Sequence, residues 1–249
     1  MSALLSGVGV GPGDPELLTL LGLRTLREAE LIVVPVRDDR DEVGYAERVV
    51  SFHLPDAPIL RAPFALTDRG GVSQRRVRAW DAAATVIVDA FGQGRQRIAF
   101  ATIGDPNIYS TFGYLAATVR ERHPATSIET VPGVTAMQAL AAASGTVLCE
   151  GSEPLVLFPA AGQVPVLGEL LDQPALAGAT VVGYKGGRHW PALRELLADR
   201  GRLGAAVVGT HLGRDDQLIR AAEAIEAELP YLSTVIAPPP RPTRGGKLL

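Results

Sequence analysis

The sequence predicts an α/β protein built from two lobes, on three observations. Short apolar runs alternate with amphipathic stretches, the pattern of strands interleaved with covering helices. The same alternation starts again after Pro124. Hydrophobic residues make up 47% of the 249-residue chain and charged residues 20%, enough apolar material for a substantial core.

In order, residues 4–10 and 31–36 read as buried strands. Between them Asp14 is placed to cap a helix, with Pro15 at its first position and Glu16 in its first turn. Leu17, Leu20, Leu21 and Leu26 would give that helix its apolar stripe. A second helix is expected from Ser73, because Val77, Trp80, Ala84, Ile87, Val88 and Phe91 follow three-four spacing and Gly92 and Gly94 close it. Residues 98–103 read as a strand and 109–122 as a helix ended by Pro124. Beyond it, strands are expected at 128–131, 155–158, 180–184, 205–211 and 231–237, with helical patterns at 191–200 and 217–228. The expected domains are 1–123 and 124–238, joined near 123–132, with the proline- and glycine-rich residues 239–249 as a flexible tail.

A formal net charge of −3 gives no global attraction to nucleic acid or an anionic membrane, so any anionic ligand must be held by local groups. Cys149 is the only cysteine, which excludes an intrachain disulfide. The opening MSALLSGVGVGPGD has no basic segment before its apolar residues, and the low-charge stretch near 136–149 is too short to span a bilayer. A cytoplasmic setting is expected.

Three loops carry the functional signal. The first, GVGVGPGDPE, follows a strand and leads into a helix, and its glycines permit close backbone approach to a ligand. It is not a dinucleotide fingerprint: the sixth position is Asp14 counted from Gly9 and Pro12 counted from Gly7, and no Lys-Ser or Lys-Thr completes a P-loop. The second, AFATIGDPNIYSTF, places Gly104-Asp105-Pro106 at a strand end, where ligands sit in open α/β sheets. Asp105 has two readings, a ligand acceptor or a turn residue before proline. The third, ETVPGVTAMQAL, sets Pro132-Gly133 between strand and helix with Thr135 as a candidate cap.

In this order and spacing the three loops resemble the tetrapyrrole methylases, which carry a GxGPGDPELLT loop, a GDP loop near residue 100 and a VPGVT segment about thirty residues later. The segments GDPNIYSTFGYL, VPGVTAMQALAAASGTVLCEG, YKGGRHWPALRELL and AELPYLSTVIAPPP narrow the resemblance to the branch that methylates C20 of precorrin-2. The similarity runs from about Ser6 to Pro238. It implies a two-domain class III methyltransferase fold with S-adenosylmethionine in a cleft between the domains, and a homodimer. Carried over by position, it implies cofactor contacts from Pro12, Ile103, Gly104, Asp105, Ile108, Tyr109, Thr135, Ala136 and Lys185. Relatives acting on uroporphyrinogen carry an acidic residue at the end of the second strand. Pro35 stands there in this chain, which argues against that substrate.

The implied chemistry is methyl transfer from a sulfonium to ring carbon C20, which asks the protein mainly for alignment. A base must then remove a proton, and the sequence does not identify it. The substrate is precorrin-2 or cobalt-precorrin-2, and no residue decides between them. Its carboxylates need donors, for which Arg61, Arg69, Arg75, Arg76, Lys185, Arg188 and His189 are candidates. Arg75, Arg76 and Arg78 read better as a solvated helix face. Ser110 and Thr111 either contact the substrate or simply start their helix. His53, His123, His189 and His211 have no metal-ligand spacing, and His211 reads as a structural histidine ahead of a cleft residue. Alternatives are another corrin-ring carbon methylase, a family member acting on ribosomal RNA or diphthamide, or a non-catalytic tetrapyrrole carrier. The acidic balance disfavours RNA, and the intact glycine loops weigh against a carrier.

Overall fold

A computed structural model describes residues 3–36, 43–64, 72–160 and 162–241. It divides into two compact units, Met1–Thr135 and Ala136–Leu249. The first contains β1 (Leu4–Gly9), α1 (Leu20–Glu28), β2 (Leu31–Val36), α2 (Tyr45–His53), β3 (Ile59–Pro63), α3 (Gln74–Gly92), β4 (Arg97–Thr102), α4 (Phe112–Arg122) and β5 (Ser127–Val131). Its five strands lie in the order β3-β2-β4-β1-β5 and are all parallel. Parallel strands need helical crossovers, so both faces are covered. On one face Leu5, Val33, Ile98 and Phe100 pack with Ile87 and Phe91 of α3 and Leu115 and Val119 of α4. On the other, Val8, Ile32, Val34 and Ala101 pack with Leu26 of α1 and Val49 and Val50 of α2. Pro35 is tolerated because the β2–β4 register ends at Val33↔Phe100, before the proline.

The second unit contains α5 (Ala136–Ser144), β6 (Leu155–Pro159), α6 (Val164–Leu171), β7 (Thr180–Tyr184), α7 (Trp190–Asp199), β8 (Val207–Thr210), β9 (Leu218–Ala221) and β10 (Thr234–Ala237). The sheet order is β6-β7-β10-β8-β9, with β10 antiparallel to both neighbours. Phe158, Val181, Val208 and Val235 bury against Leu167 of α6 and Trp190, Leu193 and Leu197 of α7. Val182, Val207 and Ile236 bury against Leu140 of α5 on the opposite face. Trp190 is fully buried and its indole N–H donates to the carbonyl of Ile225 at 3.0 Å.

Several expectations need correction. Asp14 caps only a 3-10 turn, Pro15–Leu17, by accepting from the Glu16 amide. The α-helix starts after Thr19, whose hydroxyl accepts from Gly22 N. That shift turns Leu20 and Leu21 outward, 86% and 43% exposed, and leaves Leu26 as the buried leucine of the expected stripe. The helix expected from 109 begins at Phe112, because the preceding residues form the second loop. Residues 217–228 are not a helix. Their strong helix formers yield to an edge strand, β9, paired with β8, followed by a 3-10 turn at Ala222–Ala224. The first unit also extends past the expected joint, since β5 pairs with β1 and completes the first sheet. Of the expected tail, Arg241 is fixed: it donates to the fully buried carboxylate of Glu153 at 2.6 Å and to the carbonyls of Val147 and Leu148. Residues 242–249 and Arg69 lie outside the described residues.

Candidate functional site

Three loops leave the carboxyl ends of β1, β4 and β5, adjacent strands of the first sheet. They lock together through three glycines. A Cβ on Gly133 would lie 2.1 Å from the Gly104 carbonyl oxygen and 2.7 Å from Gly9 C. A Cβ on Gly9 would lie 2.5 Å from the same oxygen. Every one of these obstacles is backbone, so no side chain can yield to make room. Gly104 N donates to Gly11 O at 2.8 Å, closing a bridge one step beyond the Val10 N to Thr102 O bond. Gly104 has φ +67, and nothing lies within 4 Å of the position a Cβ would take, so that side of its Cα faces open space.

Asp105 makes the turn contacts of its structural reading. One carboxylate oxygen accepts from Gly133 N at 3.1 Å and the other from Asn107 N at 2.8 Å. It thereby ties the second loop to the third. Ser110 is likewise engaged within the protein: its hydroxyl lies 3.1 Å from the Thr102 hydroxyl and accepts from Phe112 N at 3.2 Å. Thr111 precedes α4 without a side-chain capping bond. Pro12 and Thr135 are buried, Ile103 and Ile108 half-buried, and Ala136 opens α5. Tyr109 is 41% exposed and takes φ 50, a left-handed conformation unfavourable for a residue with a Cβ.

Lys185, at the end of β7, is also left-handed at φ 57. The preceding Tyr184 hydroxyl accepts from Met137 N at 2.9 Å, which fixes the start of α5. Gly187 packs so closely on the 229–230 segment that a Cβ would lie 2.7 Å from Leu229 O. This contact joins two of the branch-like segments, YKGG and ELPYLST. Arg188 is exposed, and its Nε donates to His189 Nε2 at 3.1 Å, so these two candidates act side by side.

Other substrate candidates do not converge. Arg61 is paired with the buried Glu47 at 2.8 Å, and its guanidinium is held more basic than usual by that hydrogen bond and charge. A buried carboxylate needs such a counterion, so Arg61 serves as the partner of Glu47. Arg75 is exposed and Arg76 half-exposed on the first turn of α3, the solvated face expected of them. An open groove of about 380 Å³ between α6 and α7 carries four carboxylates, Glu169, Asp172, Glu195 and Asp199, against one cation, Arg200. Its acidity is wrong for a polycarboxylate.

His211, read from the sequence as a structural histidine ahead of a cleft residue, has a partner that the sequence did not signal. Its ring Nδ1 lies 2.7 Å from Asp216 Oδ2, and its backbone is left-handed at φ 51. No local pattern signals this, because the partner lies across a turn.

The sequence model described as Tetrapyrrole (Corrin/Porphyrin) Methylases matches residues 4–228. This chain belongs to the tetrapyrrole methylases. Within the family it is 31% identical over 240 residues to a precorrin-2 C(20)-methyltransferase of Sinorhizobium sp, a match covering 94% of each chain. It is 33% identical over 153 residues to a probable cobalt-precorrin-2 C(20)-methyltransferase of Methanocaldococcus jannaschii, covering 61% of this chain and 62% of that one. Among solved structures, a putative cobalamin synthesis related protein (CobF) of Corynebacterium diphtheriae superposes with a TM-score of 0.69 at 21% identity, covering 95% of this chain and 98% of the other. That likeness supports the tetrapyrrole methylase fold.

Proposed function

We propose that this tetrapyrrole methylase transfers the methyl group of S-adenosylmethionine to C20 of precorrin-2 or cobalt-precorrin-2 in cobalamin biosynthesis. The observation that carries this reading is the 31% identity, across 94% of both chains, to a relative named for that reaction. The loop geometry is in keeping with it. The glycine lock leaves open space beside the Gly104 Cα, where a ligand can approach the loop closely.

In this reading Pro12, Ile103, Gly104, Ile108, Tyr109 and Thr135 contact the donor, chiefly through backbone groups. Asp105 acts by holding the loops in register. Ala136 and Lys185 are assigned to the same ligand on the family resemblance. Arg188 and His189 present adjacent nitrogen groups to a substrate carboxylate, while Ser110 and Thr111 shape the loop beside it. The donor's sulfonium supplies an activated methyl, so the protein's task is to align it with the enamine-like C20 bridge and exclude competing geometries. The same resemblance leads us to assign a homodimer working in the cytoplasm. Among the described residues, no helix is long and apolar enough to cross a membrane.

The test is an anaerobic incubation of the purified protein with S-adenosylmethionine and enzymatically made precorrin-2, read by mass and labelled-carbon NMR. One new methyl at C20, with stoichiometric S-adenosylhomocysteine, is the expected result. A methyl elsewhere on the ring would move the chain to another corrin methylase, and no donor binding would favour the carrier reading. Repeating the incubation with cobalt-precorrin-2 separates the two substrate forms, and sedimentation velocity tests the dimer.

A further inference from the structure

The strands β7 and β8 are both antiparallel to β10, so they run parallel to each other and end at the same edge of the second sheet. Thr234 of β10 pairs with Tyr184 on one side and Gly209 on the other, so Lys185 and His211 leave the sheet one and two residues beyond a common row. Both take left-handed backbone conformations, φ 57 and φ 51. Glycine or asparagine would adopt either conformation at less cost, and strain of this kind concentrates where a side chain has to be presented.

At His211 the presentation is ordered. Asp216 Oδ2 holds Nδ1 at 2.7 Å, while Arg214 Nε donates to Asp216 Oδ1 at 2.7 Å. Partial burial opposes ionisation of the Asp216 carboxyl, but the hydrogen bond and charge of Arg214 and the charge of His211 hold it below the usual carboxylate range. The turn that brings Asp216 back is itself fixed. Arg214 N donates to His211 O at 3.1 Å, Gln217 N to Arg214 O at 3.0 Å, and Gly213 N to the Gln217 side chain at 2.8 Å. With Nδ1 engaged, the imidazole is oriented and Nε2 is left as the reactive nitrogen, with no hydrogen bond to it among the described residues. The side chain is 31% exposed, so a ligand has access to it.

We propose that His211, oriented by Asp216, is the base that removes the C20 proton. This role rests on the C20 methylation proposed above. In that reaction the C20 bridge forms a bond to the methyl carbon as the carbon–sulfur bond breaks, and the sulfur keeps the electron pair as S-adenosylhomocysteine. C20 then carries both hydrogen and methyl on a ring system bearing one positive charge. His211 Nε2 takes the proton, the C–H electrons return to the ring, and Asp216 stabilises the imidazolium until solvent discharges it.

The test uses His211→Asn, because asparagine tolerates the left-handed backbone and keeps the turn while removing the ring. We expect kcat to fall by about 100-fold or more, with KM for precorrin-2 and donor binding by calorimetry little changed. Imidazole should partly restore the rate. C20-deuterated substrate should react more slowly than the protonated form in the variant, as proton removal becomes rate-limiting. Asp216→Asn, a second variant in case the first does not fold, should lower kcat about tenfold, within the range expected for a weakened general base. Wild-type product with undiminished turnover in both variants overturns the role of His211 and leaves the reaction standing. Loss of donor binding in step with loss of activity, without imidazole rescue, also overturns it, by making the histidine structural. No C20-methylated product from the wild-type protein overturns the reaction and this role together.

Discussion

The ends of β1, β4 and β5 in the first sheet and of β7 and β8 in the second are built in opposite ways. At the first, Gly9, Gly104 and Gly133 remove side chains so that three loops touch backbone to backbone, and Asp105 ties the result together. At the second, Lys185 and His211 keep their side chains in a conformation where glycine would be easier. The first edge is packed backbone on backbone, and the second keeps side chains in strained backbone conformations. Adding a side chain at the first edge and removing one from a left-handed position at the second should therefore act in opposite directions.

The largest effect is expected at Gly133→Ala. Its methyl has only backbone to meet, so we expect destabilisation of at least about 3 kcal/mol, seen as a lowered Tm, with donor binding lost in calorimetry. A variant of native stability that binds the donor would break the lock described above. Next, Asp105→Asn keeps the shape but turns one acceptor into a donor facing a backbone amide. A loss of about 1–3 kcal/mol is expected from the unsatisfied amide, measured by urea denaturation, with weaker donor binding as loop register loosens. At the second edge Tyr184→Phe removes the acceptor for Met137 N and should cost about 1 kcal/mol, with faster amide exchange at the start of α5.

Lys185→Gly should do the reverse and raise stability, by about 1 kcal/mol or less, since relief of the left-handed strain exceeds the entropy that glycine adds to the unfolded chain. The comparison fails if this variant is destabilised. The smallest effect lies away from both edges. The Glu30 carboxylate accepts from the amides of Gln96 and Arg97, and those bonds hold it below its ordinary value of 4.5. A depressed carboxyl stabilises the fold fully above its unfolded value and loses that contribution as pH falls through the folded one. Glu30→Gln should thus lower Tm slightly at pH 7, and the difference from wild type should shrink as pH falls below 4.5 and disappear below the depressed folded value.

How much of this was legible in the sequence differs between the same two edges. The first is written in glycines and in a strand–turn–helix pattern, so its loops stood out before any coordinates. Their mutual contact did not, because it joins positions 9, 104 and 133 through sheet order. The Ser73 cap of α3 was readable for a local reason, a hydroxyl reaching the Arg76 amide one turn on. The second edge was poorly legible. Left-handed lysine and histidine look like any others in sequence, and the Asp216 partner appears only once the turn has folded. Residues 217–228 misled for a related reason: LIRAAEAIEAEL has helical composition, but pairing with β8 outweighs local propensity. Likewise Leu20 and Leu21 suit a buried stripe until Thr19 rather than Asp14 is seen to set the helix phase.

The strand order of the second sheet also bears on how the chain comes off the ribosome. The first sheet has all five strands once residue 131 has emerged, and can form while synthesis continues. The second cannot, because β10, the last strand made, belongs in its middle. Until residues 234–237 arrive, β7 and β8 each expose an unpaired edge where their shared neighbour will lie. The nascent second unit therefore carries open strand edges for longer than the first, and a chain terminated before residue 234 would leave them unpaired.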